Sequence, residues 1–346
     1  MEDGSVGRKF FVSDCEGPIS INDNAFELSG HFIDDGEKFF EILSKYDDVL
    51  ADVLKRPGYN AGGTLKLIVP FLKAFNADNE NIINFSTENV HLINGALETL
   101  NYIKNNMPSF IVSTSYNHYI QALCNVTGFP FKNTYSTELD LDSVEITDSE
   151  KTTLRQFKSY IMKHPDFEVL EDIFWNKLPK LSSGKMMDMV HPVGGEGKKE
   201  AVLDIISKND FKSSDLFYIG DSITDVQPLR YARENKGISV SFNGNEYAIK
   251  ESEIAVLAEN TTITSILADV FNNHGTSTVL EFVEQYSENP SKALESDYVK
   301  GDLKAKLIKS ELPTVKIVKS DNIEQLIKSS SIIRRKLRGE SIGGLG

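Results

Sequence analysis

Two carboxylates stand one residue apart where an apolar run ends. The run KFFVS (9–13) leads into Asp14-Cys15-Glu16-Gly17-Pro18. Side chains alternate along a strand, so Asp14 and Glu16 start out on the same side as the chain leaves a sheet, and Gly17 permits a sharp exit. Two carboxylates so placed can divide labour between nucleophile and general acid/base. An acidic surface turn accounts for the same residues without chemistry. A second run, LFYI (216–219), ends in Gly220-Asp221-Ser222-Ile223-Thr224-Asp225. Asp221 and Asp225 share a face if a helix begins there, and hard oxygen ligands on a loop suit Mg²⁺. The alternative is a helix cap made by Asp221 or Ser222. A third run, SFIVS (109–113), reaches Ser113-Thr114-Ser115, whose hydroxyls and N–H groups can either hold phosphoryl oxygens or cap a helix. Finally, Gly194-Gly195-Glu196-Gly197 precedes Lys198-Lys199 at a helix start, where the macrodipole disfavours a cation. A bound phosphoryl group would account for a lysine there. The stretch is not a Walker A loop, because Pro192 takes the first glycine position and Lys199 the Ser/Thr position. No G-x-G-x-x-G follows the first run, which counts against a dinucleotide site.

These runs are short, apolar and bounded by turn residues, as is a further one at 237–242. They read as buried strands of a parallel sheet. Helical stripes lie between them: Leu97, Leu100 and Ile103, then Ala201, Val202, Ile205 and Ile206. The alternation predicts an α/β fold with right-handed crossovers. The connections from Asp14 to Ser113 and from Ser113 to Lys198 are each too long for one crossover. The expected organisation is a core of residues 1–18, 86–145 and 190–262, a helical cap at 19–85, a second insertion at 146–189, and a mostly helical extension at 263–346. The closing glycine tail, 343–346, is expected to be mobile.

Composition sets the outer bounds. The 346 residues are 40% hydrophobic and 25% charged, ordinary for a globular chain and unlike a disordered or rod-like one. With 37 Lys+Arg against 51 Asp+Glu, the net charge is −14. Such a surface repels nucleic-acid phosphates and anionic lipid. Cys15 and Cys124 are too few for a disulfide framework and suit a reducing compartment. The start has no signal pattern, and no apolar run approaches the ~18 residues of a membrane span. A cytoplasmic location is expected, with neither nucleic acid nor membrane as a partner. His91, His118, His164 and His191 have no metal-ligand spacing.

The order of the motifs, D-x-E, then S-T-S, then a lysine opening a helix, then G-D-x-x-x-D, resembles the four motifs of the haloacid dehalogenase (HAD) superfamily in its phosphatase branch. The likeness is greatest to the phosphoserine phosphatase-like group. The phrase FVSDCEGPIS is similar to archaeal members labelled as an accessory subunit of an energy-converting hydrogenase (the A subunit R-like family). The resemblance implies a HAD-like Rossmannoid core with a cap after the first strand, and Mg²⁺-dependent hydrolysis of a small phosphorylated metabolite through an aspartyl-phosphate. Phosphotransfer to an acceptor alcohol and a HAD-fold accessory or scaffold role stay open beside it. By the same resemblance Asp14 is the nucleophile and Glu16 the acid/base. Most such phosphatases have Asp at that second position, and some phosphotransferases share D-x-E. Asp14, the Glu16 carbonyl and Asp221 would hold Mg²⁺, with Asp225 behind them or acting through water. Ser113, with Thr114, would bind the phosphoryl group, and Lys198 would neutralise charge. Pro18 replaces a β-branched residue and is expected to shape the passage into the cap. Arg56, in the loop 56–63, either contacts an anionic group of the substrate or belongs to a solvated turn. The basic stretch Arg334-Arg335-Lys336-Leu337-Arg338 is expected to end a helix and complement its dipole. The extensions suit a homo-oligomer or protein contact.

Overall fold

The computed structural model describes residues 8–344. Its centre is a seven-stranded sheet. The strands are β1 (Phe10–Ser13), β2 (Ser109–Tyr116), β3 (Thr134–Thr137), β4 (Leu216–Gly220), β5 (Ile238–Phe242), β6 (Ile254–Leu257) and β7 (Thr314–Ile317), in the order β3-β2-β1-β4-β5-β6-β7. All pairings are parallel except β6 with β7. The chain builds outward from β1 on one side, then returns past it to place β4 on the other. The switch point therefore lies between β1 and β4, where wound sheets leave a crevice beyond the strand ends.

Both faces of the sheet are covered, which is why its strands read as apolar runs. Phe10, Val12, Leu216 and Tyr218 join one buried cluster. Phe11, Phe217 and Ile219 point the other way into a larger one. The structure departs from the sequence reading in two places here. β2 runs on to Tyr116, so Ser113-Thr114-Ser115 lies within the strand and not in a turn after it. Pairing with β3 sustains it, across a register shift between Val112 and Tyr116. The extension carries one strand, β7, which closes the sheet edge against β6. The glycine tail is partly ordered: Gly343 is buried at the end of the C-terminal helix Ile323–Gly343, where a Cβ would lie 2.8 Å from the Arg335 Cα. Leu345, Gly346 and residues 1–7 lie outside the described residues. Among the described residues no helix is long and apolar enough to cross a membrane.

The two long connections pack together. Phe39 and Phe71, in the helices Gly36–Asp48 and Thr64–Ala74, stack edge-on at 4.8 Å, and Phe71 meets Phe174 of the second connection at 6.0 Å. One hydrophobic cluster runs through both segments. Arg155 donates Nε and Nη2 to the Ala74 carbonyl at 3.0 and 2.8 Å, and Tyr116 at the end of β2 donates to the Leu65 carbonyl at 2.6 Å. The segments read separately in sequence thus share one core over the carboxyl ends of β1, β2 and β4.

Phe71 is fully buried between them. Phe71→Ala should cost about 3–5 kcal/mol of stability through lost burial and a residual cavity, read by urea unfolding. Amide exchange should then accelerate together in 36–74 and 148–178. Acceleration in one segment alone would contradict a shared core.

Candidate active site

The ladder between β1 and β4 continues one residue past β1, with Asp14 N donating to the Ile219 carbonyl at 2.9 Å. This places the Asp14 carboxyl at the switch point. Its Oδ1 accepts from Cys15 N at 2.6 Å. Gly17 follows at φ +105°, and a Cβ there would lie 2.2 Å from the Asp221 Cγ. Only glycine lets the turn after β1 approach the loop after β4 this closely. Pro18 sits in that turn, which Ile19 N and Ser20 N close onto the Cys15 carbonyl.

Asp225 organises the β4 loop. Its Oδ1 accepts from Lys198 Nζ and Tyr218 OH, both at 2.7 Å. Its Oδ2 accepts from Asp221 N at 3.0 Å and Ser222 N at 3.1 Å. Burial pushes this carboxyl up, but Lys198 and these donors outweigh burial and hold it below the usual range. Lys198 comes from the first turn of the helix Glu196–Asn209, whose start is tied to the same loop by Gly195 N donating to the Thr224 carbonyl at 2.9 Å. Lys198 is fully buried and lies 2.6 Å from Asp14 Oδ2. Burial pulls the ammonium down, but Asp14 and Asp225 together push it above the ordinary lysine range. Lys199 is half-exposed and pairs with Glu196 at 3.1 Å.

Asp14, Asp221 and Asp225 each place a carboxylate oxygen within 4.8 Å of the others. Hard oxygens so gathered match the donor set of a divalent cation. Asp225, which accepts from two backbone N–H groups, a phenol and Lys198, is the most fully engaged of the three and is suited to orient the site, with Asp14 and Asp221 as the candidates for direct ligation. Burial and the neighbouring Asp225 push Asp14 well above the usual carboxylate range, against the pull of Lys198.

A cavity of about 120 Å³ opens on these groups, room for about four waters at ~30 Å³ each. Glu16 lines it and accepts from Asn24 N at 2.6 Å. Burial and Asp23 push its carboxyl well above the usual range, which favours the protonated form. Thr114 and Ser115 line the cavity. Ser113, to which the resemblance gave the phosphoryl contact, lies just behind, its Oγ donating to Ser115 Oγ at 3.1 Å, so of the two serines in the motif it is Ser115 that lines the cavity. Thr114 Oγ1 donates to the Val193 carbonyl at 3.0 Å.

Arg56 is not in the cavity. It pairs with Glu171 at 2.8 Å and lies 4.1 Å from the Trp175 ring, joining the two cap segments, so a substrate contact by this side chain is a reading the geometry corrects. The loop still reaches the site, through Gly62, where a Cβ would meet the Thr114 Cγ2 at 2.7 Å. Asp47 fixes it there by accepting from Gly63 N, Thr64 N and Thr64 Oγ1 at 3.1, 3.0 and 2.9 Å.

The basic stretch of the C-terminal helix also departs from expectation. Arg334 is buried and Arg338 partly so, and both donate Nη1 to Asp221 Oδ2, Arg338 at 3.1 Å. The signal was in the sequence: Leu326, Ser330, Arg334 and Arg338 recur every four residues, so the arginines continue the buried face of the helix.

No protein-family model matches the chain, and no curated protein does. Among solved structures it is similar to the gene product AF1437 from Archaeoglobus fulgidus, with 25% identity and a TM-score of 0.80 over 98% of this chain and 99% of that one. The likeness therefore spans core, cap and extension. Weaker likenesses are to a substrate-bound phosphoserine phosphatase (TM-score 0.49, 13% identity, 76% of this chain and 98% of that one) and to phosphoserine phosphatase in apo form (TM-score 0.46, 12% identity, 73% and 95%).

Lys198→Met would leave two buried carboxylates without their shared cation, a loss of about 3–5 kcal/mol in urea unfolding at neutral pH. The deficit should narrow as pH falls. The unneutralised carboxyls would bind protons more tightly folded than unfolded, so protonation favours the folded variant. A pH-independent deficit would contradict this placement of charge.

Proposed function

We propose that the chain is a Mg²⁺-dependent phosphomonoester hydrolase of the HAD type, acting on a small phosphorylated metabolite in the cytoplasm. The observation that carries this reading is the convergence of Asp14, Lys198, Asp221 and Asp225 at the β1/β4 switch point, with Glu16 on the wall of the same cavity.

Asp14 and Asp221 would hold the cation, together with the Glu16 carbonyl that the resemblance adds. When bound, Mg²⁺ offsets the negative charge of the phosphoryl oxygens and so permits attack by a carboxylate. Lys198 adds a fixed positive charge beside Asp14, in a site where water cannot screen it. An Asp14 carboxylate oxygen attacks phosphorus in line, and the bond from phosphorus to the ester oxygen breaks. Glu16 gives its proton to the departing alkoxide, a role its raised pKa favours. The Glu16 carboxylate then takes a proton from water, whose oxygen attacks the phosphorus of the aspartyl-phosphate. Inorganic phosphate leaves and Asp14 returns as a carboxylate. The Ser115 hydroxyl, which lines the cavity and accepts from Ser113, would donate to a phosphoryl oxygen, while Thr114, whose hydroxyl donates to the Val193 carbonyl, would shape the wall beside it.

The activity should appear with p-nitrophenyl phosphate and Mg²⁺ and vanish with EDTA. Asp14→Asn should abolish turnover. Glu16→Gln should slow an alkyl phosphate by about 10²–10⁴-fold; with p-nitrophenyl phosphate it should spare the first burst of p-nitrophenolate, whose departure needs no proton, and slow the steady turnover that follows, which needs Glu16 as the base for water. Full activity in both variants would overturn the assignment. Appearance of the phosphoryl group on an added alcohol would mark the enzyme as a transferase.

A further inference from the structure

The C-terminal helix joins the candidate cation site to the cap. Arg334 donates to the Asp221 carbonyl at 3.2 Å as well as to its carboxylate. Arg338 donates Nε to the Ile21 carbonyl at 3.1 Å and Nη2 to the Asn22 carbonyl, on the passage from β1 into the first cap helix, Asn24–Phe32. Ser330 Oγ anchors the helix upstream on the Gly244 carbonyl at 2.6 Å. The helix breaks at Gly339, which has φ +80° and open space where a Cβ would be. Glycine therefore serves the backbone angle there, not a tight fit. Past this break Ile342 lines the cavity and packs against the cap cluster.

Two guanidinium groups therefore sit on one carboxylate oxygen of Asp221, one of the two carboxylates left for direct ligation. That oxygen cannot serve a divalent cation and both arginines together, and two guanidinium charges beside the carboxylate oppose a cation on its other oxygen as well. The cavity under Ile342 is also far below the roughly 300 Å³ at which small-molecule pockets begin. We infer that the helix from Arg334 onward is a displaceable strap: its arginines hold Asp221 in the cation-free protein, and a divalent cation competes them off and opens the cavity. The inference rests on reading Asp14 and Asp221 as a divalent-cation site. It makes the cation a key for substrate admission, beyond any part in chemistry.

The full-length chain tests this with Mn²⁺ alone, bound Mn²⁺ being read by electron paramagnetic resonance and strap release by amide hydrogen exchange. In the unaltered protein, saturating Mn²⁺ should speed exchange of residues 334–344 at least tenfold. The double variant Arg334→Met/Arg338→Met should bind Mn²⁺ at least tenfold more tightly. A control, Arg335→Met/Lys336→Met, removes two exposed charges from the same helix and should change affinity less than twofold. Unchanged exchange, equal affinity in the first variant, or an equal gain in the control overturns the strap and leaves the cation site standing. Absence of Mn²⁺ binding in every chain overturns both.

Discussion

A buried ammonium between two carboxylates organises this molecule. Lys198 has no exposure and touches Asp14 and Asp225 at 2.6 and 2.7 Å. Taking such a group from water costs several kcal/mol, roughly, even after relaxation, so the three residues must meet or the fold is penalised. They come from the end of β1, the loop after β4 and the first turn of a helix. Their meeting fixes those segments relative to one another. Asp225 extends the constraint, because its other acceptor contacts set the backbone of Asp221 and Ser222 and the phenol of Tyr218. A buried ion pair is weak evidence for net stability, and its value here lies in register.

The cavity gathers carboxyl groups, and the extension offsets part of their charge. Asp14, Glu16, Asp23, Asp47, Asp48 and Asp221 all line it. Burial, with Asp47 and Asp52 nearby, pushes Asp48 up to about 6. Burial pushes Asp23 up as well, with Arg338 opposing. Arg334 and Arg338 supply the compensating positive charge from the far end of the chain. This gives the extension a part in the site that a purely external docking role would not require.

Residues from both long connections share one hydrophobic core. The second insertion supplies Phe174 to the shared core and Glu171 and Trp175 to Arg56. That contact takes Arg56 away from the cavity and leaves Gly62 as the point where the loop meets the site.

The sequence by itself determined the local chemistry and the layers. Apolar runs ending in Asp14 and Asp221 marked strand ends, because a strand buried on both faces must be apolar until it leaves the sheet. A lysine at a helix start marked Lys198, because the dipole opposes it unless an anion answers. These signals are local and survive without knowledge of neighbours. Tertiary structure alone decided which groups meet across hundreds of residues. Whether Arg56 faces the cavity or Trp175 depends on where the second insertion docks. Whether Arg334 and Arg338 meet solvent or Asp221 depends on where the C-terminal helix lands. Their four-residue spacing named the buried face, but only the packing of that helix could say that the face would cover a carboxylate.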